Sequence, residues 1–194
     1  MTRKNYRSNI AAALLLAAVV LAFTAPAMAQ YQPAGPGYGI TTIVQPLTAE
    51  ELKSMQFMRE EEKLARDVYR ALFEKWNLIA FRNISASEET HFVAIGTLLT
   101  RYGAVDPAQS SAGVYTDPAL NALHGQLLAK GMQSAQDALE VGILIEKKDI
   151  TDLESALNTT AKFDIKRVYN NLMNGSYNHL DAFETVCAVT APVI

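Results

Sequence analysis

Five residues of this chain could do chemistry together by type and spacing: Glu62, Glu88, His91, Glu146 and His179. Each interrupts a run whose apolar residues recur at alternating steps of three and four, so each stands where a core side chain of a helix belongs. The first run is Met55, Met58, Glu62, Ala65, Tyr69, Leu72, Trp76, and the second is Phe81, Ile84, Glu88, His91, Ile95, Leu98, Tyr102. The third is Leu139, Ile143, Glu146, Ile150, Leu153, Leu157, and the last is Ile165, Val168, Leu172, Ser176, His179, Phe183, Val186. A buried, unmatched carboxylate is costly, so each acid must be paired, protonated or bound to a cation.

Glu88-Glu-Thr-His91 is a Glu-x-x-His pair, whose side chains leave one helix face together. One helix thereby offers an oxygen and a nitrogen to one metal ion, and acids from facing helices bridge and neutralise two ions. Bundles that hold two metals take one Glu from each of two helices and a Glu-x-x-His from each of the other two. Here the last helix supplies His179, but Ser176 stands three residues before it in place of the second Glu. Asp149, one turn beyond Glu146, could replace the missing ligand; so could water, or the place could go unfilled, leaving one ion or two. The competing reading needs no metal: buried Glu and His form ion pairs that fix helix register.

The elements that must position these residues are helices throughout. Thr48-Ala-Glu-Glu51 matches a capping box opening a helix to about Trp76, with Asn77 near its end. A second helix runs from about Phe81 to Tyr102, closed by Gly103. Residues 103–118 carry turn chemistry in Asp106-Pro107, Gly113 and Asp117-Pro118, a loop long enough to span a bundle. Ala119 to Lys130 reads as a short amphipathic helix bearing His124, an ordinary surface or boundary residue. Ser134 opens the next long helix, on which Glu140 falls off the inward stripe and is solvated. The last region, from about Asp164 to Ala188, reads as one helix or as two joined near Asn174-Gly175. Period-two strand patterns do not appear outside the tether, so the fold class is all-α.

Ahead of the helices, Arg3, Lys4 and Arg7 precede an apolar run from Ile10 to Phe23 and the small-x-small site Ala27-Met28-Ala29. This is the pattern of a signal peptide over 1–29, cleaved after Ala29, and it predicts a periplasmic or secreted protein with no stable membrane anchor. Residues 30–47 form a Pro/Gly-rich tether, and 48–188 the helical domain. Cleavage would move the formal charge from −3 to −6, which argues against nucleic acid as a partner. The one cysteine, Cys187, excludes an internal disulfide; it reads as a small apolar residue on a helix face, with intermolecular pairing as the sharper alternative. Tyr69 reads as a core tyrosine, with a hydrogen bond to a ligand carboxylate or a redox role as the functional alternative.

Glu62-Lys-Leu-Ala-Arg-Asp-Val-Tyr69 resembles the first helix of ferritin-like and rubrerythrin-like proteins, and Ala138-Leu139 through Glu146 resembles their third. More closely, MREEEKLARDVY (58–69), SEETH (87–91), the run from Glu146 to Leu153 and Gly175-Ser-Tyr-Asn-His-Leu-Asp-Ala-Phe183 together resemble a ferritin-like bacterial and archaeal domain family of unknown function, over about residues 48–186. The resemblance implies a ferritin-like four-helix bundle with a short extra helix in the crossover between the second and third long helices. It further implies a carboxylate-bridged iron or manganese centre of one or two ions on Glu62, Glu88, His91, Glu146 and His179. Oxygen or peroxide would then be partners besides the metal ions, with oxidase, peroxidase or metal-sequestering activity. Ser176 departs from the wider superfamily's Glu, and no Cys-x-x-Cys segment of the rubrerythrin kind is encoded. The alternative function is a metal-free binding or structural module. An oligomer is compatible with either.

Overall fold

A computed structural model describes residues 44–190. The signal-peptide pattern and most of the tether lie outside them. Five helices and no strand occur among the described residues: α1 (Ala49–Trp76), α2 (Ile79–Arg101), α3 (Pro118–Gly131), α4 (Ala135–Thr159) and α5 (Phe163–Thr190). None is long and apolar enough to cross a membrane.

Local chemistry sets the boundaries. The Thr48 hydroxyl accepts from Glu51 N–H and the Glu51 carboxylate accepts from Thr48 N–H, so the expected capping box is formed. Asn77 closes α1 with φ +52, a left-handed geometry that asparagine tolerates. Asp117 and Ser134 cap α3 and α4, each accepting backbone N–H groups of the first turn.

The four long helices close a ring of contacts, α1 on α2, α2 on α5, α5 on α4 and α4 on α1, while α3 covers α1 and α4. Two apolar clusters fill the interior. One gathers Val68, Tyr69, Leu72, Phe81, Leu139 and Phe183; the other gathers Met55, Met58, Ile95, Leu99, Leu153 and Tyr169. On every long helix the residues between these clusters are the polar ones. Glu62, Glu88, His91, Glu146, Asp149, Ser176 and His179 are all buried there, a polar slab between two apolar ones.

Some details differ from the sequence reading. On α4 the buried stripe is shifted, because Val141, Gly142 and Ile145 are buried while Ile143 and Leu157 are only partly so. Burying one side of α4 on α1 and another on α5 takes a wider apolar arc than one stripe gives. Through Asn174-Gly175 α5 is one continuous helix, not two. A lone glycine inside a helix costs about 1 kcal/mol and does not by itself break it.

Candidate metal centre

The slab brings five of the six predicted residues together. Glu62, Glu88 and His91 each present a ligand-type atom within 4.8 Å of the others, and so do Glu88, Glu146 and His179. Glu88 belongs to both groups, one oxygen to each. Its Oε2 lies 2.9 Å from His91 Nδ1, and its Oε1 lies 2.8 Å from His179 Nδ1. Glu62 Oε2 completes the first group at 3.4 Å from His91 Nδ1, and Glu146 Oε2 the second at 3.5 Å from His179 Nδ1. The two imidazoles stack, with centroids 5.4 Å apart.

These distances are short, but the angles are not those of hydrogen bonds. Both Nδ1 atoms, Glu88 Oε1 and Glu62 Oε1 are buried without a hydrogen-bond partner. Ligand-type atoms about 3 Å apart with no hydrogen bond between them have the spacing of neighbours around a cation. Adjacent ligands of an ion at about 2.1 Å are separated by about that distance. The donor set is mixed carboxylate and imidazole, which suits iron or manganese better than thiolate-seeking metals.

Neighbours hold the set in place. His179 Nε2 lies 2.9 Å from Ser87 Oγ, which leaves Nδ1 facing Glu88. Tyr69 donates to Glu146 Oε1 at 2.6 Å from within the aromatic packing of Phe81 and Phe183. Tyr69 is therefore both a core tyrosine and a carboxylate partner. Gly175 explains the glycine inside α5: a Cβ there would sit 2.6 Å from His91 Nε2, so only glycine leaves room for that imidazole. Neither Ser87 nor Gly175 was singled out in the sequence as a supporting residue. A lone mid-helix glycine is a signal of close approach, whereas nothing in the sequence marks Ser87.

The electrostatics follow from crowding acids and imidazoles out of water. Burial, then the charge of Glu88, pushes Glu62 well above the usual carboxylate range against the pull of His91. Burial likewise carries Glu146 to about 7, despite His179 and the Tyr69 hydroxyl. Burial works to raise Glu88 too, but the two imidazoles beside it prevail and hold it at about 2. Burial disfavours both imidazolium ions, yet Glu62 and Glu88 raise His91 to about 11, and Glu146 and Glu88 raise His179 to about 9. Such a site attracts positive charge.

Asp149 stands outside both groups. It is buried, and its Oδ2 accepts from Ser176 Oγ at 2.5 Å. Ser176, the residue in place of the expected Glu, thus serves this acid. The residues read as bystanders lie away from the slab: His124 packs on Tyr115 and Glu140 pairs with Lys130 at the surface. Cys187 is partly buried against the core, within hydrogen-bond reach of Gln136. A groove of about 680 Å³ between the start of α1 and the end of α4 includes none of the six predicted ligands.

With this geometry in hand, comparison with known proteins adds the lineage. The family profile described as an uncharacterized protein domain, DUF2202, matches residues 51–190. The chain belongs to the DUF2202 family. The uncharacterized protein MJ0754 of Methanocaldococcus jannaschii is 50% identical over 140 residues, covering 72% of this chain and 76% of that protein. The crystal structure of the hypothetical protein MJ0754 superposes with a TM-score of 0.73 at 48% identity, over 75% of this chain and 83% of that one. A DUF305 fragment from Deinococcus radiodurans superposes with a TM-score of 0.55 at 14% identity, over 74% of this chain and 99% of that one. That second likeness speaks to the fold alone. The DUF2202 match spans the whole polar slab, from Glu62 to His179.

Proposed function

We propose that this protein is an exported, ferritin-like metal-binding bundle that holds iron or manganese on Glu62, Glu88, His91, Glu146 and His179. The observation that carries this reading is Glu88, whose two oxygens face two imidazole nitrogens at 2.9 and 2.8 Å while those nitrogens lack hydrogen bonds. A structural ion-pair network would aim hydrogens along those lines, whereas ligands aim lone pairs at a shared cation. The closed ring of four long helices, with its crossover between α2 and α4 through α3, supports the ferritin-like arrangement.

Glu62 and His91 would hold one ion, Glu146 and His179 the other, and Glu88 would bridge them. Bound iron or manganese supplies a redox-active Lewis acid, suited to oxygen or peroxide reduction or to sequestration of the metal itself. The chain's own part is to bind and to orient. Tyr69 fixes the Glu146 carboxylate, Ser87 holds the His179 ring through Nε2, and the apolar clusters on either side keep bulk water out.

The test is metal content after purification without chelator and anaerobic reconstitution with Fe(II). About two ions per chain supports the bridged centre and makes oxygen and peroxide turnover the next assay. One ion supports sequestration or a mononuclear role. No ion would leave the slab as a register-setting network, the reading that the imidazoles' affinity for protons favours.

A further inference from the structure

Asp149 is the one predicted ligand that the two groups leave out, and its surroundings do not explain it as a structural acid. Only 5% of it is exposed, Ser176 satisfies Oδ2, and Oδ1 is buried with no hydrogen-bond partner. It lies close enough to Glu62, Glu146 and Glu88 for their charges to act on it. The nearest basic group on its own helix, Lys148, is taken up by Glu61 at 2.6 Å and by Asp152. A fourth acid crowded against three others, with one oxygen free, must either keep a proton or meet positive charge.

The charge count agrees. Glu62, Glu88 and Glu146 with two neutral imidazoles fall one negative charge short of two divalent cations, and Asp149 makes up the difference. Position agrees as well. Asp149 projects from α4 one turn after Glu146, and Ser176 projects from α5 three residues before His179, at the place where a second Glu-x-x-His would offer its acid. Serine offers no carboxylate, but its hydroxyl reaches the neighbouring acid.

We infer that Asp149 Oδ1 is the sixth ligand of the centre, supplied from α4 in place of the missing α5 glutamate and aimed by the Ser176 hydroxyl on Oδ2. The inference rests on the metal-binding reading above. Asp149 contributes the ligand, and Ser176 is a positioning residue that acts through it.

The experiment is anaerobic calorimetric titration of the full chain with Mn(II), alongside thermal unfolding with and without Mn(II), for the parent, Asp149→Asn, Ser176→Ala and Ser176→Thr. The parent is expected to take up two ions. Asp149→Asn should keep one site and weaken the other tenfold or more. Without metal it should melt at or above the parent, because a crowded charge is gone, and it should gain less from Mn(II). Ser176→Ala should weaken binding about tenfold, and Ser176→Thr, which keeps the hydroxyl, should recover it. Two ions bound by Asp149→Asn at parent affinity would overturn this inference while leaving the five-residue centre standing. An equal loss of melting temperature with and without Mn(II) would also overturn it, by showing a purely structural acid. Should Asp149→Asn fail to fold, the serine pair decides, since equal binding by parent, Ala and Thr forms excludes a role for Ser176. A parent that binds no ion would overturn the metal reading itself.

Discussion

Helix α1 carries two buried charged faces, and they are built on opposite principles. Every residue from Met58 to Tyr69 is buried, right round the helix. The outer face lies under the loop at 103–117, and its charges are matched. Arg59 pairs with Asp106 at 2.8 Å, and Glu60 accepts the backbone N–H groups of Thr116 and Asp117. Lys63 spends its three donors on Asp67 and on the Ser111 and Val114 carbonyls. Asp67 also accepts from Arg66, Gly113 N–H and the Tyr115 hydroxyl. The inner face, around Glu62, leaves both imidazole Nδ1 atoms and several carboxylate oxygens without hydrogen bonds. A saturated network is a structural clasp. An unsaturated one, on the same helix and equally buried, is what the proposed cation would complete.

The largest way to test that contrast is to remove one charge from each face. Asp67→Ala removes the carboxylate that Lys63 and Arg66 share beneath the loop, and should cost about 3 kcal/mol in urea unfolding whether or not metal is present. Glu62→Gln, by contrast, should leave metal-free stability unchanged or raised and abolish metal uptake in the same titration. Equal destabilisation by both would erase the distinction between the faces.

Metal removal should act next most strongly, through the inner face alone. At a hundredfold excess of Fe(II) or Mn(II) over Kd the stabilisation is about 2.7 kcal/mol. Chelator should therefore lower Tm by several degrees, and re-added metal should restore it. A melting curve insensitive to chelator would place the inner face with the outer one.

Gly175→Ala sharpens the site without touching a ligand. The added Cβ would press on His91 Nε2, so metal affinity should fall about tenfold or more while the far-ultraviolet circular dichroism of the helices persists. Unchanged affinity would show that His91 does not need its observed place.

The pH dependence has a definite sign. His179, raised to about 9, contributes to metal-free stability fully below pH 6.5, and that contribution is lost as pH rises through 9. Glu146, raised to about 7, opposes folding increasingly as pH rises from its unfolded value near 4.5 through 7. Metal-free stability should therefore decline between about pH 5 and 9, as followed by denaturant midpoints. Metal affinity should rise across the same window, because the imidazole protons must leave before the nitrogens can ligate. The smallest effects are expected from His124→Ala and Glu140→Ala, both within about 0.5 kcal/mol and neutral for metal uptake.

Glu62, Glu88, His91, Glu146 and His179 were legible because each breaks an apolar helical stripe, a local signal that needs no knowledge of neighbours, and Asp149 because it follows Glu146 by about one turn. The same signal says nothing about the charges beside them. Arg59, Glu60, Lys63, Arg66 and Asp67 have the look of a solvated face, and no spacing in the sequence reveals that a loop forty residues later covers them. Gly175 was read as a possible joint between helices, because its constraint comes from His91 on another helix.

The sequence by itself determined the helices, their caps, and the polar residue set into each long one, since all three depend on side chains within a few positions of one another. Tertiary structure alone decided that Glu88 would face both imidazoles, that Ser176 would serve Asp149, and that the outer charges of α1 would be sealed beneath a loop. Those outcomes depend on distances between helices far apart in the chain. Which buried charges find partners, and which are left unmatched, is settled only when the helices pack.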